Sequence, residues 1–172
     1  LRFDLDPAKT RVKSTMSVRR TGAADAPMAL DGEGLTLLAV SIDGEPLSKT
    51  AYKATDTSLT LLTVPDAFEL EIEVEIATQE NTALSGLYMS GGRFCTQCEA
   101  EGFRRITYWP DRPDVMSRFQ VWMAADKATY PYLLSIGTPC ETGALEDGLH
   151  YAALDDPHPK PSFLVALCAG DY

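Results

Sequence analysis

Histidine is scarce in this chain: His150 and His158 are the only two in 172 residues. Neither has a helical partner at metal-ligand spacing, and no H-E-x-x-H occurs, which argues against a self-contained catalytic zinc site of the usual kind. The chain also lacks a G-x-S-x-G elbow, a P-loop and a dinucleotide fingerprint. Cysteine is sparse, at positions 95, 98, 140 and 168, too few in a chain this long for a disulfide scaffold. A reducing, cytoplasmic setting is the expectation. Basic residues number 15 against 25 acidic ones, a formal charge of −10. That argues against nucleic acid or an anionic membrane as partner, since both need a basic face. No apolar run is long enough to span a bilayer, and no signal-peptide pattern opens the chain. Internal repeats, low-complexity tracts and long helical periods are missing too.

What remains is strand after strand. Leu1, Phe3 and Leu5 alternate with polar residues, Asp6–Lys9 reads as a turn, and Val12, Ser14, Met16 and Val18 share one face of a second strand. Asp31-Gly32-Glu33-Gly34 breaks the chain. Leu38, Val40 and Ile42 alternate next, before the hairpin signal Asp43-Gly44. A strand is expected over Leu59–Val64. The clearest one covers 68–76, with Phe68, Leu70, Ile72, Val74 and Ile76 on one face and Glu69, Glu71, Glu73 and Glu75 on the other. A helix would scatter those apolar residues and stack Glu71 on Glu75. Asn81–Gly92 reads as irregular, and Pro113–Met116 as one short helical turn. Phe119, Val121 and Met123 resume the alternation, Tyr130–Leu134 follows, and Asp147-Gly148 marks another hairpin. Asp156–Pro161 reads as a stiff proline connector before an apolar strand over Phe163–Ala169. The expected fold is all-β: an antiparallel sandwich or saddle-like open barrel with at most one helical turn. At this length one domain, 1–172, is expected to bury roughly 70% of the unfolded surface. Both ends read as cut from something longer.

One stretch does not read as core: CTQCEAEGFRRITYWPDRPD, Cys95 to Asp114. In an extended chain residues two apart point the same way. Gln97 and Glu99 are then aimed together, with Thr96 and Cys98 on the opposite side. An amide beside a carboxylate suits a cationic ligand such as a free amino terminus. Cys95-Thr96-Gln97-Cys98 also matches C-x-x-C, but no thioredoxin-like setting surrounds it, and an extended segment points the two thiols apart. Phe103–Trp109 reads as strand-like, with Arg104 and Arg105 facing opposite ways. Each arginine either pairs with a surface carboxylate or braces the loop that carries Glu99. Tyr108 and Trp109 read as core or interface aromatics.

Asn81-Thr82-Ala83-Leu84-Ser85-Gly86-Leu87-Tyr88 followed by this motif resembles the bacterial aminopeptidase N family of gluzincin metallopeptidases. Ala125-Asp126-Lys127 with Tyr130–Ser135, Asp156–Pro161 and the terminal Ala169-Gly170-Asp171-Tyr172 extend the resemblance over nearly the whole chain. It implies the N-terminal β-domain that precedes a thermolysin-like catalytic domain, whose Gly-Ala-Met-Glu-Asn and H-E-x-x-H motifs are not in this sequence. It further implies that Gln97 and Glu99 reach into the active-site cavity and hold the substrate's free amino group. Zinc is then required by the full-length enzyme, with ligands outside this chain. The partners implied are the catalytic domain of the same polypeptide and peptide N-termini, and the domain alone is expected to be inactive. Gly91-Gly92-Arg93-Phe94 departs from the family pattern just before the contact residues, which bears on loop shape. The rival from another class is a stand-alone β-sandwich binding or docking module, and a third is a C-x-x-C redox protein.

Overall fold

The computed structural model describes residues 1–172. Fifteen strands run in chain order: β1 Arg2–Asp4, β2 Thr10–Arg19, β3 Met28–Asp31, β4 Thr36–Ile42, β5 Glu45–Pro46, β6 Tyr52–Ala54, β7 Ser58–Leu61, β8 Ala67–Ile76, β9 Gly86–Ser90, β10 Arg93–Gln97, β11 Met116–Asp126, β12 Tyr132–Ser135, β13 Thr138–Ala144, β14 Leu149–Pro161 and β15 Leu167–Gly170. They form three open sheets. The largest has the order β13-β14-β11-β1-β2-β8-β4-β5, a second β12-β15-β10-β9, and a third β3-β7-β6. The fold is all-β, as the alternating patterns require, and no helix is long and apolar enough to cross a membrane.

β8 shows why. Its apolar face is buried from Phe68 to Ile76, each side chain contributing roughly 1.5–3 kcal/mol. Its glutamates turn outward and meet the basic residues of β2: Lys13 Nζ lies 2.8 Å from Glu71 and Arg11 3.3 Å from Glu73. The β1–β2 hairpin forms where the sequence placed it. Asp6 fixes its turn by accepting from the backbone N–H groups of Ala8 and Lys9. Asp43-Gly44 and Asp147-Gly148 turn hairpins with positive φ.

Several local expectations are corrected. A bulge between Leu37 and Ala39 turns Leu38 out to solvent and Leu37 toward the core. The strand expected over Leu59–Val64 ends at Leu61. Asn81–Gly92 is not irregular throughout: Gly86–Ser90 is β9, and Gly91-Gly92 makes a tight turn into β10, both glycines at positive φ. Phe103–Arg105 is a 3₁₀ turn, not strand. Pro113-Asp114 is a plain turn, and helical structure is limited to four 3₁₀ turns, at Thr78–Glu80, Phe103–Arg105, Glu146–Gly148 and Ser162–Leu164. The proline connector is the end of β14, paired with β11 through Pro161↔Met116. Its prolines, at 157, 159 and 161, are two apart, so their missing N–H groups fall on one edge. That suits a strand whose β13 side is free beyond Asp155. The last strand starts at Leu167 because Ser162–Leu164 turns first. One pairing, β1 with β11, is parallel.

Candidate functional site

β10 carries Cys95, Thr96 and Gln97 along one row of the four-stranded sheet. Phe94 points inward and is fully buried, so Cys95 and Gln97 point outward. The strand stops at Gln97. Cys98 then turns in, with 3% exposure, and Glu99 turns out again. Cys98 acts as the peg between the two candidate residues. Gln97 and Glu99 are both exposed, and Gln97 Nε2 donates to the backbone carbonyl of Glu99, 3.1 Å away. That bond occupies the amide nitrogen and leaves the amide oxygen as an acceptor. The Glu99 carboxylate has no cationic side chain paired with it.

The turn after Glu99 is compact. Gly102 N–H donates to the Cys98 carbonyl (2.8 Å), and a Cβ on Gly102 would lie 2.3 Å from the Gln97 carbonyl oxygen. Across the sheet, Gln97 faces Gly86, which has φ +75° and would bring a Cβ within 2.5 Å of Arg105 Cβ. Asn81 holds the approach to β9, its Nδ2 donating to the carbonyls of Ser85 and Leu87. Sequence reasoning did not single out these two glycines as steric requirements: the close approach at Gly86 joins residues distant in the chain, and the one at Gly102 depends on an irregular turn that carries no periodic pattern.

The arginines resolve into separate tasks. Arg105 pairs with Glu33 at 2.7 Å. Arg104 pairs with the buried Asp111 at 3.1 Å and reaches Glu101 at 3.5 Å, two residues past Glu99. Burial opposes the Arg104 charge, but Asp111, Asp31 and Glu101 outweigh it and hold the guanidinium's pKa above its usual value. Asp111 also accepts from Ser162 Oγ at 2.6 Å, and its own N–H donates to Asp31. No local signal in the sequence marks Asp111 as a buried carboxylate. Tyr108 and Trp109 are core residues, Trp109 sitting 5.4 Å from Phe103 and 5.6 Å from Phe119 between ring centroids.

The C-x-x-C pair does not converge. All four cysteines are free, and burial together with the charge of Asp111 pushes the Cys98 thiol up to about 12. A thiol so held is a poor nucleophile at neutral pH. His150 Nε2 contacts the Tyr130 carbonyl at 2.8 Å, and no three His, Cys, Asp or Glu side chains come together to hold a metal ion. The residues of this chain therefore do not fit a zinc site.

The outer face of the sheet next to Gln97 is mainly apolar, with the exposed Arg93 farther along β10 on the same side. Leu134 lies opposite Cys168, and Tyr88 opposite Cys95. Tyr132 and Leu134 are about half exposed. An exposed carboxylate and amide thus stand at the edge of an uncovered apolar stripe.

Comparison with known proteins gives a consistent picture. The Peptidase M1 N-terminal domain family matches residues 1–164. The chain is 56% identical over 169 residues to aminopeptidase N of Caulobacter vibrioides and 51% identical over 172 residues to that of Escherichia coli. These matches cover 98% and 100% of this chain and 20% of each relative, so the chain spans about a fifth of their length. The crystal structure of Legionella pneumophila aminopeptidase A in complex with aspartic acid matches with a TM-score of 0.89 at 34% identity, covering 99% of this chain and 20% of that one. At the level of fold alone, an M1 zinc metallopeptidase from Deinococcus radiodurans matches at TM-score 0.83 and 15% identity, over 98% of this chain and 40% of the other.

Proposed function

This chain belongs to the peptidase M1 family, as its N-terminal domain, and from that premise we propose that it supplies one wall of an aminopeptidase's substrate cavity. Gln97 and Glu99 meet the substrate's free amino group there. The observation that carries this reading is the outward pair itself: an unpaired carboxylate beside an amide whose nitrogen is already engaged and whose oxygen is free. Both free acceptors suit an ammonium donor. An aminopeptidase must count from the terminus of its substrate, and an anionic group at a fixed place does that by binding the charged amine. A charge-assisted hydrogen bond of this kind contributes roughly 1.5–3 kcal/mol, or one to two decades in affinity. Holding the terminus also orients the first peptide bond.

The chemical step belongs to the rest of the polypeptide. The relatives are about five times as long, and this chain's own side chains do not assemble a metal site. In the M1 enzymes the bound zinc supplies Lewis-acid and water-activating chemistry. The apolar stripe of Tyr88, Tyr132 and Leu134 beside Gln97 supports packing of this face against the catalytic domain of the same chain. Four unpaired thiols suit a reducing compartment and support a cytoplasmic setting.

The test uses the full-length enzyme. Glu99→Ala is expected to lower kcat/KM for an aminoacyl substrate by about one to two decades, and Gln97→Ala by less, with thermal stability unchanged because both side chains are exposed. An unaltered kcat/KM for Glu99→Ala would remove the recognition role. The stand-alone docking module would be restored if the full-length protein lacked metal-dependent release of N-terminal residues.

A further inference from the structure

The outer face of the four-stranded sheet carries two of the four thiols side by side. β10 and β15 run antiparallel, with Phe94 opposite Ala169. The same register continues on either side of that pair. Thr96 Oγ1 donates to the Leu167 carbonyl at 3.0 Å and accepts from the Leu167 N–H at 2.9 Å, and Gly170 lies against the Arg93 side chain. Cys95 therefore stands directly opposite Cys168. Both point outward, because their neighbours Phe94 and Ala169 are fully buried on the inner face, and both are half-buried themselves. They form the middle of one row across the sheet, Tyr88–Cys95–Cys168–Leu134.

The spacing suits a covalent bond. Leu167 directs its N–H toward β10, so the next residue, Cys168, directs its own toward β12. Cys95 and Cys168 are then a non-hydrogen-bonded pair, the class in which facing Cα atoms lie about 4.5 Å apart. That separation is within the span a disulfide bridges. The join it would reinforce is thin. Phe94↔Ala169 is the one residue pair of the β10–β15 ladder, whereas β10 meets β9 over five. At the next position the Thr96 hydroxyl takes the place of a backbone partner. We propose that Cys95 and Cys168 are a reversible redox site, closing to a cross-strand disulfide under a hydroperoxide and clamping β10 to β15.

The chemistry balances with the oxidant alone. One cysteine sulfur attacks a peroxide oxygen; the S–O bond forms, the O–O bond breaks, and the first water leaves with the thiol proton. The second sulfur then attacks the sulfenic sulfur; the S–S bond forms, the S–O bond breaks, and a second water leaves. Two thiols lose two electrons and the peroxide gains them. A dithiol reductant returns both thiols by exchange. Burial and the neighbouring Cys168 push the Cys95 thiol up, and Arg93 on the same strand opposes them. The pair therefore rests as two thiols rather than as a standing thiolate, which fits a bond made under oxidant and lost in a reducing setting. Cys95 is two residues from Gln97, so any consequence for the substrate cavity rests on the function proposed above; the bridge itself does not.

Full-length protein treated with hydrogen peroxide and mapped by mass spectrometry tests this. The expected product joins the Cys95 peptide to the Cys168 peptide with the loss of two hydrogen atoms, and dithiothreitol reverses it. In Cys168→Ser the link is expected to vanish, with Cys95 recovered as a sulfenic acid trapped by dimedone. Backbone amides of residues 95–97 are expected to exchange at least about tenfold more slowly in the bridged protein than in the reduced one. Oxidation of Cys95 and Cys168 without a link overturns the proposal, as does a bridge from either to Cys98 or Cys140. Persistence of both thiols at a peroxide dose that oxidises the exposed Cys140 also overturns it. Equal exchange before and after bridging overturns the clamp. None of these readouts depends on turnover: loss of the role proposed for Gln97 and Glu99 would leave the bridge standing, and absence of the bridge would leave that role standing.

Discussion

Arg104 and Asp111 are joined three times across the motif's turn. The Arg104 backbone N–H and Nε both donate to Asp111 Oδ2 at 3.1 Å, and Nη2 donates to the Asp111 carbonyl at 3.2 Å. The side chains are 17% and 1% exposed, so the pair sits under the protein surface rather than on it. Through Glu101, Arg104 ties this buried anchor to the loop that presents Glu99.

Removing the anion from that pair is expected to be costly. Asp111→Ala removes the carboxylate that accepts from Arg104 Nε, the Arg104 backbone N–H and the Ser162 hydroxyl. Breaking a buried pair from one side costs about 3–5 kcal/mol. Urea denaturation should show a loss near the lower end of that range, since Arg104 keeps some contact with water. A loss under about 1 kcal/mol would mean that the pair behaves like an exposed one.

The second prediction concerns Gly102. A methyl group there meets the carbonyl oxygen of Gln97 and the Cα of Cys98, both backbone atoms that cannot rotate away. Gly102→Ala is expected to destabilise the domain by about 1–3 kcal/mol and to displace Gln97 and Glu99. In the full-length enzyme, kcat/KM should then fall although neither contact residue has changed. Gly22→Ala is the control, because nothing lies within 4 Å of the added carbon. Equal melting temperatures for the two variants would show that the turn has slack.

A third prediction separates the thiols. Cys98 is buried with its thiol pushed up to about 12, whereas Cys140 is exposed and Cys95 half-buried. Alkylation with iodoacetamide at mildly basic pH, mapped by mass spectrometry, should modify Cys140 first and Cys98 last. Mild oxidation should yield no Cys95–Cys98 disulfide, because Cys95 points outward from β10 while Cys98, just past the strand's end, turns into the core. Recovery of that disulfide in the folded protein would contradict the placement of Cys98.

Local chemistry made much of this legible in advance. The alternation over 68–76 and 10–18 could only be satisfied by strands with one buried face, and Asp43-Gly44 and Asp147-Gly148 carry the backbone freedom that tight hairpins demand. The exposed placement of Gln97 follows from the same period of two, and the turn past the end of β10 leaves Glu99 exposed with Cys98 turned inward between them. Proline misled the reading at 157–161. It signals a loop when met in isolation, but three prolines spaced by two spare one strand edge entirely.

The sequence by itself therefore determined which segments are strands, where the chain reverses and which short stretch presents polar groups outward, since each depends on neighbours a few residues away. Tertiary structure alone decided that β1 runs parallel to β11, that Asp111 is buried under Arg104, and that Gly86 has no room for a side chain. Those outcomes rest on contacts between residues up to about 120 positions apart. The pairing of distant strands, with its loop-closure cost and its shared burial, leaves no periodic mark on either partner alone.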